Sequence, residues 1–257
     1  MSVGDHHIPM GGGRVYAREW QPDGPASAPP IVLLHDSLGC ITLWRDFPAE
    51  LSARTGRRVI AYDRLGFGQS DAFPGRLPLK FIYTECSTSL PPLLAALNIE
   101  EFVLFGHSVG GGMSTAGAAD FGARCKGLIS ESAQIFREER TFEGIRAAQP
   151  NLVPGSPQRE RLKKYHGEKT DWVLSSWIDN WLDPAFVLDL TSHMKRIRCP
   201  VLALYGDLDE FGSTGQAKYL CDHVAGSAKL HLMKACGHVP HRDRPGEILD
   251  TVANFLG

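Results

Sequence analysis

Short apolar runs alternate with amphipathic stretches along most of the chain. A continuous apolar run is typical of a strand buried on both faces of a sheet, whereas strict alternation indicates a half-exposed strand. The alternating pattern occurs at residues 14–20. Further strands are predicted at residues 30–35, 58–63, 103–105, 126–132, 200–205 and 229–233.

Helices are predicted between these strands. They cover residues 43–54, 81–98, 109–121, 215–223 and 246–256. Pro91 and Pro92 fall inside the second of these helices, and we expect them to interrupt or kink it. Strands that alternate with helices predict an α/β fold, with a mainly parallel central sheet and helices on both of its faces.

The alternation of strands and helices stops between residues 134 and 193. Charged stretches at 137–140 and 159–164 predict solvated helical faces, and Trp172, Trp177 and Trp181 fall near one face of a helix. We interpret residues 134–193 as an inserted helical lid. Residues 1–133 and 194–257 then form the core of a single α/β domain, a size that such folds often reach.

Composition and charge exclude several kinds of partner. The 257 residues are 43% hydrophobic and 22% charged, with a formal net charge of -2, as is ordinary for a globular protein. Because the chain has no basic stripe, we expect no nucleic-acid partner. No apolar run approaches the length of a membrane span, so we expect no membrane partner. The sequence has no signal for an oligomeric state.

Two further features predict a cytoplasmic protein. The first residues, Met-Ser-Val-Gly-Asp-His-His, lack the basic start and apolar stretch of a secretory signal. The chain has six cysteines and no Cys-x-x-Cys pair, and in a chain of this size we expect reduced, packed thiols rather than disulfides.

The candidate chemistry begins at Gly106-His-Ser-Val-Gly110, between a predicted buried strand and a helix of small residues. This Gly-x-Ser-x-Gly pattern is that of a nucleophile elbow, which holds Ser108 on a tight turn with its hydroxyl exposed to a cleft. Side chains at Gly106 or Gly110 would clash where the backbone folds back. The alternative is a glycine-rich turn with an ordinary serine.

A serine nucleophile needs a histidine base, which a carboxylate orients. Asp207 and Asp209 follow the strand at 200–205, and His238 and His241 follow the strand at 229–233. Active sites of open α/β sheets lie at the carboxyl ends of the strands, where all of these residues are predicted to lie. At this point either aspartate and either histidine is a candidate.

In these motifs the chain resembles the α/β-hydrolase fold superfamily over essentially its full length. Besides the elbow, it has the turn Asp63-Arg-Leu-Gly-Phe-Gly-Gln-Ser70, the segment Gly206-Asp-Leu-Asp209 and the pair Gly237-His238. The resemblance implies that Ser108 is the nucleophile, Asp209 the acid and His238 the base. Asp207 remains the alternative acid and His241 the spare base, with a surface or helix-capping role expected for His241.

The resemblance also implies an oxyanion hole and a pocket under the lid. Val109 is expected to donate one backbone N–H to the oxyanion and Ser37 the other, with Leu38 as the alternative. The usual His-Gly is here His35-Asp36. A carboxylate at Asp36 must point away from the oxyanion or be paired. We expect Leu38, Trp177 and Trp181 to line the substrate pocket.

The function implied is a serine hydrolase that cleaves a carboxylic ester, lactone or thioester of a small, fairly apolar molecule. No cofactor is needed, and no metal is expected, because His238 and His241 lack the accompanying ligands of a zinc site. One alternative is a carbon–carbon bond hydrolase, for which Arg137, Arg140 and Arg146 are available in the lid. Another is a non-catalytic small-molecule receptor of the same fold.

Overall fold

An eight-stranded sheet forms the centre of the protein. The structure is a computed structural model that describes residues 1–24 and 28–257. Its strands are β1 (Ser2–Met10), β2 (Gly13–Gln21), β3 (Ile31–Leu34), β4 (Val59–Tyr62), β5 (Phe102–His107), β6 (Cys125–Glu131), β7 (Val201–Gly206) and β8 (Ala228–Met233). They lie in the order β1-β2-β4-β3-β5-β6-β7-β8.

The strands from β4 through β8 pair in parallel, whereas β1 with β2 and β2 with β4 pair antiparallel. This arrangement confirms the predicted α/β fold with a mainly parallel sheet. Strand β1 was not predicted. It is an edge strand that pairs only with β2 and is largely exposed, so its residues lack the apolar pattern of a buried strand.

Helices cover both faces of the sheet. They are α1 (Phe47–Thr55), α2 (Phe81–Ala96), α3 (Val109–Phe121), α4 (Glu139–Ala148), α5 (Pro157–His166), α6 (Thr170–Trp181), α7 (Thr191–Met194), α8 (Thr214–His223), α9 (Pro240–Asp243) and α10 (Pro245–Leu256). One hydrophobic core packs apolar residues of α1 and α10 against the sheet. The other packs residues of α2, α3 and α8 on the opposite face.

Helix α2 runs without interruption through Pro91 and Pro92, so the predicted interruption was wrong. Each proline removes one backbone donor, and Pro inside a helix is costly for that reason. Leu90 before the pair, and Leu93 and Leu94 after it, are fully buried in the core. Burial on both sides of the prolines offsets the lost hydrogen bonds and keeps the two halves in one helix.

The chain between β6 and β7 contains α4, α5, α6 and α7, and we call residues 132–200 the β6–β7 segment. A single bridge between Phe136 and Asp189 joins the two ends of this segment. All three predicted tryptophans lie on α6, with Trp177 and Trp181 buried. Trp172 is partly exposed and stacks on Phe73.

Candidate active site

A tight turn after β5 holds Ser108. Its backbone has φ 57° and ψ -123°, which is unusual for a residue other than glycine. A Cβ on Gly106 would lie 2.0 Å from the oxygen of Gly110, and a Cβ on Gly110 would lie 2.2 Å from the oxygen of Leu34. Both positions therefore require glycine, and the backbone strain is held by the packed strand and helix on either side.

Ser108 and His238 face each other although they are 130 residues apart. Ser108 Oγ lies 2.9 Å from His238 Nε2, and His238 Nδ1 lies 2.9 Å from both carboxylate oxygens of Asp209. Because Nδ1 faces a carboxylate, it carries the ring proton and donates a hydrogen bond to Asp209. This leaves Nε2 free to accept a hydrogen bond from the serine hydroxyl. The three groups thus form a continuous hydrogen-bonded chain.

The loops after β7 and β8 position Asp209 and His238. Asp209, which follows β7, is 1% exposed, and its Oδ1 also accepts from the backbone N–H groups of Phe211 and Gly212. Asp207 is exposed to solvent, and within the described residues the side chain of His238 makes its hydrogen bonds to Asp209 and Ser108 instead. Of the two candidate acids, the structure therefore brings only Asp209 to the histidine.

The loop after β3 lies beside Ser108. The Leu38 N–H donates to Asp36 Oδ1 at 2.8 Å, so this donor is already occupied. Within residues 1–24 and 28–257, the N–H groups of Ser37 and Val109 donate to no protein acceptor. Two backbone donors close to Ser108 are therefore without a protein acceptor in the described structure, one on this loop and one at the start of α3.

A cavity of about 180 Å³ opens onto these groups. Its lining is mainly apolar, and in the described structure it includes no lysine or arginine. The predicted pocket residues Leu38, Trp177 and Trp181 all lie in this lining. The full set is Asp36, Ser37, Leu38, His107, Ser108, Gln134, Thr141, Trp177, Trp181, Phe211, His238 and Val239. The β6–β7 segment thus contributes walls to the site.

Comparison with known proteins decides the family. The profile of the alpha/beta hydrolase family matches residues 31–251 of the chain. The chain belongs to the alpha/beta hydrolase family.

Individual relatives of this hydrolase are distant. It is 24% identical over 223 residues to "Serine hydrolase BPHL" of Mus musculus, covering 82% of this chain and 74% of the relative. It is 24% identical over 251 residues to "2-hydroxymuconate semialdehyde hydrolase" of Pseudomonas sp. (strain CF600), covering 88% and 86%. The solved proline iminopeptidase of Mycobacterium smegmatis has a TM-score of 0.79 at 19% identity, covering 98% and 97%, and it supports the fold alone.

A buried hydrogen-bonded pair, Glu131 and His241, lies close to the elbow and was not predicted from the sequence. Glu131 at the end of β6 is 0% exposed. Its Oε2 accepts from His241 Nδ1 at 2.6 Å, and its Oε1 accepts from the His241 backbone N–H at 2.8 Å. His241 was expected at the surface or in hydrogen bonding at a helix entry. It lies at the start of α9 but is buried at 4% exposure, because both its ring and its backbone N–H donate to the buried Glu131.

His107, within the elbow, connects this pair to the loop after β3. Its Nε2 donates to the main-chain oxygen of His238 at 2.7 Å, and its Nδ1 lies 3.5 Å from Asp36 Oδ2. Burial opposes a charge on His107, but Asp36 and Glu131 outweigh it and raise the pKa of His107 above its ordinary value. Asp36 is therefore paired with His107, one of the two arrangements expected for a carboxylate at this position.

The other pKa values in this cluster follow from the same contacts. Burial alone would raise the pKa of Asp36, but the hydrogen bond and charge of His107 hold it well below its usual range. Burial would also raise the pKa of Glu131, yet His241 and His107 hold it below its usual value. Burial lowers the pKa of His241 despite its carboxylate partner. Both acids are thus ionised near neutral pH.

His107, Glu131 and His241 bring potential metal-ligand atoms within 4.8 Å of one another. In the described structure, these side chains are already engaged in hydrogen bonds to protein groups. The cluster is therefore organised as a buried hydrogen-bond network. A signal for it was present in the sequence, since Glu131 is an acid at the carboxyl end of a predicted strand, where active sites of such sheets lie.

No helix among residues 1–24 and 28–257 is both long and apolar enough to cross a membrane. All six cysteines are free thiols.

Proposed function

We propose that this protein is a serine hydrolase that cleaves a carboxylic ester or a related acyl bond of a small, neutral, largely apolar molecule. The observation that supports it most is the hydrogen-bonded chain from Ser108 through His238 to Asp209, opening onto an apolar cavity. This chain has the geometry of a nucleophile, a base and an orienting acid.

The reaction proceeds through an acyl-enzyme. His238 Nε2 removes the proton of Ser108 as Oγ attacks the substrate carbonyl, and Asp209 stabilises the imidazolium that forms. His238 then gives this proton to the leaving alcohol as the carbon–oxygen bond breaks. In the second half, His238 takes a proton from water as the water oxygen attacks the acyl carbon. The bond from this carbon to Ser108 Oγ then breaks, His238 returns the proton to Oγ, and the acid is released. The cycle uses water and no cofactor.

The free N–H groups of Ser37 and Val109 form the proposed oxyanion hole. Two preorganised donors stabilise the oxyanion as it develops. In other hydrolases, removal of one such donor lowers kcat by about 10²–10³-fold. Leu38 is the weaker alternative because its N–H is held by Asp36. The macrodipole of α3, which begins at Val109, adds positive potential at the same place.

The cavity limits the substrate. At about 180 Å³, it is below the range of about 300–1,000 Å³ that is usual for drug-sized ligands, so the bound part of the substrate is short. We propose that the β6–β7 segment acts as the lid of this pocket, because Thr141, Trp177 and Trp181 all contribute to its walls.

Other activities named among the relatives fit the cavity less well. A carbon–carbon hydrolase acting on a muconate-type acid would need cationic groups, and the described lining has no lysine or arginine. Arg146 pairs with Glu139, and Arg137 lies over the Phe142 ring. A peptidase that binds an amino terminus needs a carboxylate for it, but Asp36 is already engaged by Leu38 and His107.

The direct test is steady-state hydrolysis of p-nitrophenyl acetate and butyrate by the wild type and by Ser108→Ala. We expect multiple turnovers in the wild type and loss of nearly all of this rate in the variant. Asp207→Asn, at an exposed position outside the site, is the matched control and should retain the rate. A wild type that binds esters without turnover would contradict the proposal and indicate a receptor.

A further inference from the structure

Arg64, in the loop after β4, is a buried cation that the reaction described above does not use. Its side chain is 2% exposed, and it forms no salt bridge within residues 1–24 and 28–257. Its Nη2 donates to the main-chain oxygen of Asp36 at 2.9 Å, whereas its Nε has no partner in the described structure. A buried cation without an anionic partner lowers the stability of a fold, and such groups commonly accompany a functional constraint.

The main-chain oxygen of Asp36 accepts hydrogen bonds from three donors. Besides Arg64 Nη2, these are His35 Nδ1 at 2.8 Å and the backbone N–H of Gly39 at 3.2 Å. His35 can donate from Nδ1 because its Nε2 accepts from the backbone N–H of Arg64 at 3.1 Å, which fixes the neutral tautomer with its proton on Nδ1. The direction of this carbonyl is therefore set by contacts from two loops, after β3 and after β4.

The carbonyl of Asp36 and the N–H of Ser37 belong to the same peptide group. A trans peptide group is planar, so its N–H points in the direction opposite to its C=O. Because the carbonyl is turned toward Arg64, the Ser37 N–H points away from Arg64. Ser37 and Ser108 line the same cavity, and the Ser37 N–H has no protein acceptor in the described structure. The contacts of the Asp36 carbonyl thus determine where the proposed oxyanion donor points.

We propose that Arg64 is a positioning residue for the oxyanion hole, an inference that rests on the proposed function. Its guanidinium holds the Asp36 carbonyl so that the Ser37 N–H faces the oxyanion. An oxyanion hole depends on donors that are fixed before the reaction begins. The contact also strengthens the donor, because a cation hydrogen-bonded to the carbonyl oxygen polarises the peptide group.

A purely structural role for Arg64 leads to a different expectation. In that case its hydrogen bond would only hold the loop after β4 against the loop after β3, and its loss would lower stability and the rates of all substrates together. A positioning role lowers chiefly the rates of reactions in which negative charge develops on an oxygen that accepts from Ser37. The two roles are distinguished by changing the accepting atom of the substrate.

The test compares phenyl acetate with O-phenyl thioacetate, in which sulfur replaces the carbonyl oxygen. Sulfur is a weak hydrogen-bond acceptor, so the oxyanion hole contributes much less to hydrolysis of the thionoester. Both substrates release phenol, which is followed by its absorbance. Each kcat/KM is divided by the alkaline hydrolysis rate of the same substrate to remove intrinsic reactivity. We call the ratio of the two quotients the oxygen preference.

Arg64→Met removes the charge and the donor but keeps an unbranched side chain. We expect kcat for phenyl acetate to fall by about tenfold and KM to change by less than about twofold, because the donor acts in the transition state. The loss is smaller than the about 10²–10³-fold of a deleted donor, since His35 and Gly39 still hold the carbonyl. The thionoester rate should change little, so the oxygen preference should fall by about fivefold.

Arg57→Met is the matched control. Arg57 precedes β4, and its side chain donates to the main-chain oxygens of Pro29 at 3.0 Å and Leu256 at 2.9 Å. The variant loses contacts of the same kind at the other end of the strand, so the oxygen preference should be unchanged. Arg64→Lys keeps the charge but is too short for the same contact, and should lower the preference by about threefold. It provides the test if Arg64→Met fails to fold.

The outcomes separate the two proposals. If the wild type releases no phenol from phenyl acetate, the proposed function fails and the inference fails with it. If the Arg64 variants lower kcat/KM for both substrates by the same factor, or raise KM without lowering kcat, the role of Arg64 is structural. The positioning inference is then overturned while the proposed function stands. An equal loss of oxygen preference in Arg57→Met would also overturn the inference.

Discussion

The imidazole of His107 and the main chain of His238 are joined by a hydrogen bond of 2.7 Å, donated by Nε2 to the carbonyl oxygen. The other ring nitrogen of His107 faces the Asp36 carboxylate at 3.5 Å. With both nitrogens turned toward acceptors, the protonated imidazole fits this position best. The side chain of His107 thus connects the elbow to the loop that contains His238 and to the loop after β3.

We expect His107→Gln to destabilise the protein more at acidic than at alkaline pH. A glutamine can still donate to the His238 oxygen but carries no charge for Asp36. At about pH 6 the free energy of unfolding should fall by about 2 kcal/mol, the size of a charge-assisted hydrogen bond. At about pH 9 the loss should be clearly smaller. Urea unfolding of both proteins at each pH measures the difference.

The direction of this pH dependence follows from the raised pKa of His107 in the folded protein. The folded-state pKa of His107 lies above its ordinary value of 6.5. The stabilisation from its charge is therefore complete below 6.5 and disappears as the pH rises through the folded-state pKa. A destabilisation by His107→Gln that is the same at both pH values would show that His107 is not charged in the fold.

Asp209→Asn should abolish most activity while leaving the fold intact. An asparagine cannot hold the His238 tautomer or stabilise its charge, so kcat should fall by roughly 10³–10⁴-fold. Asp207→Asn, two residues away and exposed, is the control and should stay within about twofold, as surface changes do. Equal losses in the two variants would contradict the assignment of Asp209 as the acid.

Trp177→Leu should shift the acyl-chain preference toward longer esters. The wild-type cavity of about 180 Å³ favours short chains, and a leucine removes much of one apolar wall. For each methylene that the enlarged pocket accepts, kcat/KM should rise by about fourfold relative to the wild type. The measurement is a p-nitrophenyl ester series from acetate to octanoate. An unchanged chain-length profile would place Trp177 outside the substrate pocket.

Glu131→Gln should cost far more stability than the same change at Glu101. Glu131 is fully buried and accepts two hydrogen bonds from His241, and each hydrogen bond to a charged group contributes about 1.5–3 kcal/mol. Glu101 pairs with Lys126 at the surface, where such pairs contribute about 0–1 kcal/mol. Thermal and urea unfolding give both values, and similar losses would mean that the buried pair contributes little.

Local patterns predicted the parts of the site that depend on local backbone geometry. The elbow glycines of β5 and α3 face backbone atoms of their own turn and of the neighbouring strand β3, so spacing alone indicated them. The strand-helix alternation predicted the sheet, and with it that loops after β7 and β8 would reach Ser108.

The features of the fold and the site that were not predicted depend on contacts between residues that are far apart in the sequence. Glu131 and His241 are 110 residues apart, and the local sequence around one of them does not indicate that it contacts the other. Asp36 departs from the usual glycine, and its partner His107 lies on a different strand. Strand β1 forms by pairing along the whole of β2 rather than by apolar burial, so periodicity missed it.

Trapping the acyl-enzyme tests most directly whether Ser108 carries the acyl group during turnover. The wild type is mixed with p-nitrophenyl acetate, quenched in acid within the first turnover and analysed by intact-mass and peptide mass spectrometry. We expect one acetyl group per chain on the peptide containing Ser108, and none in Ser108→Ala. Turnover without an acetylated Ser108, or an acetyl group on another residue that the alanine variant keeps, would contradict it.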